Sequence, residues 1–243
     1  HQEARARCEY LLDRRRPFGL IVGPGGVGKS DLLRKLASDG ARGAGVRPIL
    51  IDMTAVTGPM LLAELADLLI VGSSSRDQID QLRRIRDRLA GLAHCQERQV
   101  LLLDHLDAAR PDAFETLQSL LRLTAVDRSL SVIATARESG LAGLTALQQD
   151  FGWLQIDLEP LSEAQAAEAA REILDRAGQH DHVLSSGGAH ELHRLTSGNP
   201  RQLSRLVELA LLAREADDVD SVSPEMLRGV SLELVGTRRS RID

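Results

Sequence analysis

Apolar residues run along this chain in two rhythms. Over residues 3–15, Ala4, Cys8, Leu11 and Leu12 recur at helical spacing on a charged background. Residues 18–22, Phe-Gly-Leu-Ile-Val, form a short unbroken apolar run that leads into a glycine-rich stretch at 23–28, after which 30–38 return to helical spacing. Similar short aliphatic runs occur at 48–53, 99–104, 130–135 and 153–158, each separated from the next by helical patterns. Apolar runs without alternation suit strands covered on both faces, and strands interleaved with helices call for parallel pairing. The pattern predicts an α/β core of parallel strands with helices on both sides.

Two long amphipathic stretches, 59–71 and 76–94, follow the second run, with Gly72-Ser-Ser-Ser75 as a loop between them. The rhythm changes after Pro160. From Ser162 onward only helical patterns remain, at 162–177, 189–196, 200–215 and 224–234. Ser162 with Gln165 has the spacing of a capping box, and Asn199 before Pro200 that of an N-cap and first helical residue. A boundary at 159–161 is therefore expected, with an α/β core over 1–160 and a small all-helical domain over 161–243. No internal repeat or low-complexity tract is present.

Between the first strand and the next helix, Gly23-Pro24-Gly25-Gly26-Val27-Gly28-Lys29-Ser30 matches G-x-x-x-x-G-K-[ST] in full. Such a loop needs glycines so that backbone N–H groups can turn inward around a phosphate, and a following helix whose N-terminal end favours anions. Lys29 would neutralise the β- and γ-phosphates, and Ser30 would place its hydroxyl on Mg²⁺. The nucleotide-binding residues predicted are Gly23, Pro24, Gly25, Gly26, Val27, Gly28, Lys29, Ser30 and Asp31. Lysine occurs only twice in the chain, and one of the two lies in this motif.

A phosphate loop of this class is partnered by a strand ending in an acid that holds the magnesium. Val100-Leu-Leu-Leu103-Asp104 supplies one, so Ser30 and Asp104 are the expected metal residues. Hydrolytic members of the class usually carry Glu next, to orient the attacking water; here the position is His105. Three readings stay open: slow turnover behind firm ATP binding, competent turnover through His105 or through Asp107 one helical step on, and no turnover. A neutral imidazole can accept a water proton but lacks the fixed charge of a carboxylate.

Composition narrows the picture further. Apolar residues make up 43% and charged residues 27%, ordinary for a globular chain, and the net charge of −5 gives no global attraction to phosphate backbones. Cys8 and Cys95 are too few for a disulfide framework or a four-cysteine zinc site. No stretch approaches ~18 uninterrupted apolar residues, so this segment is expected to make no membrane contact and to be cytoplasmic. Because it begins without Met, it is expected to come from a longer protein. No Asn/Thr-Lys-x-Asp element for reading guanine is present, which favours ATP over GTP.

With both motifs placed, the chain resembles the AAA+ superfamily of P-loop ATPases. Within it, the sequence is similar to the ATPase domain of general secretion pathway protein A and to the helper ATPases of DNA transposition. The residues carrying this are His1-x-Glu3-Ala4 ahead of the first helix, Asp104-His-Leu-Asp107, Glu159-Pro-Leu-Ser162, and Leu195-Thr-Ser-Gly-Asn-Pro-Arg-Gln-Leu203 with the helix after it. The resemblance implies a three-layer core with a five-stranded sheet of order 5-1-4-3-2 and a helical C-terminal lid. It implies that Arg201 reads the γ-phosphate from the lid and that Thr135, at the end of the fourth strand, contacts that phosphate or its water. One departure concerns assembly: residues 138–152 contain no arginine where such ATPases carry a finger, leaving Arg128 and Arg137 as candidates.

Other constellations are read as structural. His180, His182, His190 and His193 have ligand-like spacing but no acid or cysteine in register, so solvated histidines are expected. The arginines of 76–88 alternate with Asp77, Asp80 and Asp87 as on an exposed helix, and with aromatics at 2% base stacking is not expected. The expected function is an ATP-binding switch with slow or partner-stimulated hydrolysis, acting on a protein partner or fused domain, with homo-oligomers allowed. The alternatives are a DNA-associated regulator of the transposition or replication-initiation type, although charge does not favour DNA, and a signal-transducing NTPase module.

Overall fold

The structure is a computed structural model and describes residues 2–40, 45–71, 77–179, 183–185 and 187–239. The predicted loop at 72–75, Arg76, His180 and His182 lie outside the described residues. Five strands, β1 (Phe18–Val22), β2 (Val46–Asp52), β3 (Arg98–Asp104), β4 (Leu130–Ala136) and β5 (Leu154–Asp157), form one sheet in the order β2-β3-β4-β1-β5. All pairings are parallel, and the order is the predicted 5-1-4-3-2 seen from the other edge.

The three inner strands β1, β4 and β3 are buried almost throughout. The outer two differ from the expectation of full burial. β2 and β5 sit at the sheet edges and are only partly covered, with Leu50 and Leu154 exposed. Being an edge strand also lets β2 hold Pro48, whose missing N–H would break a ladder in the sheet centre. The β2–β3 ladder runs from Val46 beside Arg98 to Asp52 beside Asp104, so β2 starts two residues earlier than its apolar run.

Helices α1 (Gln2–Asp13), α2 (Lys29–Gly40), α3 (Gly58–Leu68), α4 (Gln78–His94), α5 (Pro111–Thr124) and α6 (Thr145–Phe151) accompany the sheet. Helix α3 begins at Gly58 because Thr57 caps it, its hydroxyl accepting from the Met60 N–H. Helix α1 packs Leu11 so tightly on β1 that a Cβ at Gly19 would come 2.1 Å from Leu11 Cδ1, which explains a glycine in mid-strand. The core joins Phe18, Leu20, Ile51, Met53, Leu61, Leu65, Ile85, Leu103, Leu117 and Leu121.

The chain divides into two compact units, one of His1–Pro24 with Lys29–Leu158, the other of Gly25–Gly28 with Glu159–Asp243. The second unit carries α7 (Glu163–Arg176), α8 (Gly188–Thr196), α9 (Pro200–Ala216) and α10 (Pro224–Arg239), plus an isolated bridge between Leu184 and Val222. Ser162 and Gln165 close the capping box on α7, and Asn199 caps α9, as their spacing predicts. Ala166, Ala170, Leu192, Leu203, Leu206, Val207 and Leu227 fill this unit's own core. Among the described residues, no helix is long and apolar enough to cross a membrane.

Candidate nucleotide-binding site

The inner strand β1 ends at Val22 and α2 begins at Lys29, so the six residues between them leave the C-terminal edge of the sheet, where ligands of open α/β sheets bind. Gly26 and Gly28 have φ of 82° and 104°, a region that residues with a Cβ rarely adopt. Val27 is fully buried and anchors the loop between them. Lys29 is 8% exposed and donates from Nζ to the carbonyls of Gly23 at 2.6 Å and Pro24 at 2.9 Å. Its ammonium is thus held under the loop rather than in solvent. The first-turn N–H groups of α2, those of Lys29, Ser30 and Asp31, lack intrahelical acceptors, and the helix dipole adds positive potential there. The Asp31 carboxylate instead faces Arg34 and Lys35 on its own helix, so its contribution to an anion is its main-chain N–H.

In the second unit, the Asn199 side-chain amide donates to the Gly25 carbonyl at 2.8 Å, and the Arg201 N–H to the Gly26 carbonyl at 3.3 Å. A Cβ on Gly26 would come 2.7 Å from Asn199 Oδ1, a second reason for glycine at that position. Arg201 lies in the first turn of α9 and is exposed.

At the end of β3 the structure joins three of the predicted residues. The Thr135 hydroxyl, fully buried on β4, donates to Asp104 Oδ1 at 2.6 Å and accepts from the His105 N–H at 2.9 Å. The His105 N–H also lies 3.1 Å from Asp104 Oδ1. These bonds hold His105 in a left-handed conformation, φ 54° and ψ 43°, which costs a non-glycine residue on the order of 1 kcal/mol and is concentrated at functional sites in proteins generally. The Asp104 side chain is 14% exposed.

Asp107 is not part of this network. It lies in a 3₁₀ turn, Leu106–Ala108, packed so closely on Gly140 that a Cβ there would come 2.2 Å from Asp107 Cβ. Of the two arginine-finger candidates, Arg137 directly follows β4, whereas Arg128 precedes it, at the strand-start end of the parallel sheet remote from Asp104. His190 pairs with Glu163 and His193 with the Leu161 carbonyl; among the described residues no group of histidines, cysteines and acids forms a metal site.

One residue escaped the sequence reading. Asp52, at the end of β2, places Oδ1 3.3 Å from His105 Nδ1, while the second Asp104 oxygen lies 3.7 Å from the same nitrogen. The signal was available, because Ile49-Leu-Ile-Asp52 repeats the form of Leu101-Leu-Leu-Asp104 and the two aspartates are register partners. Bonds from the Thr54 hydroxyl and N–H, aided by His105, hold the Asp52 carboxyl below its usual range.

The donor set fits a magnesium nucleotide. A hydroxyl at Ser30 and a carboxylate at Asp104 are hard oxygen ligands of the kind Mg²⁺ takes alongside water and phosphate, and the open space at Gly25 leaves the loop backbone approachable.

A family model described as an AAA domain matches residues 12–144. No curated protein matches the chain. Among solved structures, Cdc6p from Pyrobaculum aerophilum aligns with a TM-score of 0.76 at 18% identity over 96% of this chain and 66% of that one. The Aeropyrum pernix ORC1 protein in complex with DNA gives 0.69 at 18% over 96% and 65%. The RuvB Holliday junction branch migration motor of Thermotoga maritima gives 0.58 at 17% over 95% and 68%. The chain spans about two thirds of each of these proteins. At such identities they share the fold. None of these matches bears on the finer likeness to general secretion pathway protein A or to transposition helper ATPases.

Proposed function

The chain belongs to the AAA domain family of P-loop ATPases, and on that premise we propose that it binds ATP with Mg²⁺ and acts as a nucleotide-dependent switch with slow or partner-stimulated hydrolysis. The observation that carries this reading is the loop from Gly23 to Ser30, with its positive-φ glycines and its lysine held beneath, in a chain whose β3 ends in an Asp104 braced by Thr135. Gly23, Pro24, Gly25, Gly26, Val27, Gly28 and the first-turn amides of α2 would receive the phosphates. Lys29 would neutralise the β- and γ-oxygens, Ser30 and Asp104 would hold Mg²⁺, and Mg²⁺ would offset developing charge on the phosphates. Thr135 and Arg201 are the proposed γ-phosphate contacts, and residues 161–243 the lid whose position reports the nucleotide. His105, lacking the charge of a glutamate, accounts for slow turnover. A protein partner or fused domain would read the switch, in a cytoplasmic setting. Calorimetry with ATP, with and without Mg²⁺, tests the reading: uptake that requires Mg²⁺ supports it, and no uptake overturns it.

A second reading is a DNA-associated regulator. It is favoured by the similarity to a protein whose structure is described as a complex with DNA, and opposed by the net charge of −5. ATP-dependent retention of duplex DNA that weakens with salt would select it.

A further inference from the structure

Resting on the proposed binding of Mg·ATP, we infer that Asn199 is the residue through which the phosphate loop passes its state to the helical unit, by a hydrogen bond to the loop main chain. The loop tip, Gly25–Gly28, groups with the helical unit, whereas Pro24 and Lys29 on either side of it group with the α/β unit. Whatever grips the tip therefore receives any change of loop shape that a nucleotide imposes. Two bonds reach the tip from the start of α9: Asn199 Nδ2 donates to the Gly25 carbonyl at 2.8 Å, and the Arg201 N–H to the Gly26 carbonyl at 3.3 Å.

The first turn of α9 is completed by that loop. A helix leaves its first N–H groups without intrahelical acceptors. Pro200 has no N–H, the Gln202 N–H donates to Asn199 Oδ1 at 3.3 Å, and the Leu203 N–H makes the first intrahelical bond, to the Asn199 carbonyl at 2.9 Å. The Arg201 N–H is left over, and its acceptor is Gly26. The Asn199 carboxamide works at both ends, its oxygen capping the helix and its nitrogen holding the loop. Turning the amide over would set acceptor against acceptor at Gly25 and donor against donor at Gln202, which fixes the assignment. The contact is close as well as polar. A Cβ on Gly26 would come 2.7 Å from Asn199 Oδ1 and 3.2 Å from Arg201 Cβ, so the loop cannot shift toward α9 without displacing it.

Asparagine is the side chain that meets both demands. Serine or aspartate would cap α9 as well, but a serine hydroxyl ends one bond short of the Gly25 carbonyl, and a carboxylate has no hydrogen to donate. The route runs from the loop carbonyls into α9 itself, so it does not depend on a guanidinium reaching the γ-phosphate. A nucleotide that orders Gly25 and Gly26 orders the first turn of α9 with them.

The experiment follows amide hydrogen exchange at Arg201, Gln202 and Leu203, with and without saturating Mg·ADP or Mg·ATP, beside calorimetric titrations. The chains compared are wild type, Asn199→Ser, Asn199→Asp and Arg201→Ala. In wild type either nucleotide is expected to slow exchange at the start of α9 several-fold. Asn199→Ser should bind Mg·ATP about two- to tenfold more weakly, the equivalent of one neutral hydrogen bond that preorganises the loop. At saturation its loop amides should be protected and those of α9 should not. Asn199→Asp, which keeps the cap and lacks the donor, should lose the α9 signal in the same way. Arg201→Ala keeps its main-chain N–H and should retain the signal at saturation even where affinity falls. The urea midpoint of Asn199→Ser should stay near wild type because α9 is still capped, so the lost signal is not that of a frayed helix. Protection of α9 that persists in both Asn199 variants, or that disappears in Arg201→Ala, would overturn the inference. A wild-type chain that binds nucleotide with no change at α9 also overturns it while sparing the binding reading. Failure of wild type to bind at all would remove both, and calorimetry separates the cases.

Discussion

The Thr135 hydroxyl serves two neighbours at once, donating to Asp104 Oδ1 at 2.6 Å and accepting from the His105 N–H at 2.9 Å. It is wholly buried on the central strand β4, one strand over from both. A residue of the same shape without the hydroxyl would leave a half-buried carboxylate and a backbone donor short of a partner.

Thr135→Val should therefore cost about 1–3 kcal/mol of stability, the range for orphaning buried polar groups, read from the urea midpoint. Phosphate release should fall with it, and Thr135→Ser should recover both.

Replacing Lys29 with Ala should weaken Mg·ATP binding by about ten- to a hundredfold, the equivalent of one charge-assisted contact of roughly 1.5–3 kcal/mol. Lys29→Arg should not restore it, since a planar guanidinium does not fit where Nζ reaches the Gly23 and Pro24 carbonyls. Calorimetric titration of the two variants checks this, and wild-type affinity in Lys29→Ala would count against the proposed site.

Glu191, buried in the helical unit, is bonded by Arg194 at 2.6 Å and 2.9 Å and by Arg228 at 2.9 Å. The Arg194 bonds first, and Arg228 after them, hold its carboxyl at about 2 against an ordinary 4.5. A depressed folded-state value means that the stabilisation is full above the ordinary pKa and is lost as pH falls from about 4.5 toward about 2. Glu191→Gln should be less stable than wild type at neutral pH, and its stability should change less across that acid window. Urea titrations at both ends of the window show whether the gap narrows.

The two cysteines should differ sharply toward a thiol reagent. Cys8 is fully buried on α1, and burial pushes its thiol up to about 12, so little thiolate exists at neutral pH. Cys95, after α4, is exposed. A colorimetric thiol assay should count one fast group in the native chain and a second only in denaturant.

Much of the architecture was legible because it is written in local terms. Unbroken aliphatic runs marked the strands, and the Ser162, Gln165 and Asn199 caps marked helix starts, since each depends on residues a few positions apart. Helix α5 and the 3₁₀ segment Glu138–Leu144 were expected only as unspecified helical spacers, although α5 carries a regular apolar stripe at Ala113, Leu117, Leu120 and Leu121. Partial exposure of β2 and β5 was missed for another reason: a residue's burial depends on how many strands and helices lie beside its strand, and the apolar run records none of that.

The phosphate loop belongs to the sequence alone, because glycine positions, a lysine and a hydroxyl in fixed spacing specify a backbone shape without help from distant residues. Asp104 and His105 could be named the same way, from their places at a strand end, whereas Thr135 was implied by the resemblance to AAA+ ATPases. Which of them meet was decided by the tertiary structure: the register of three parallel strands brings Asp52, Asp104 and Thr135 to one edge, and a left-handed turn at His105 closes the group. His105 is 30 positions from Thr135 and 53 from Asp52, and contacts of 2.9 Å and 3.3 Å between them depend on the packing of everything in between.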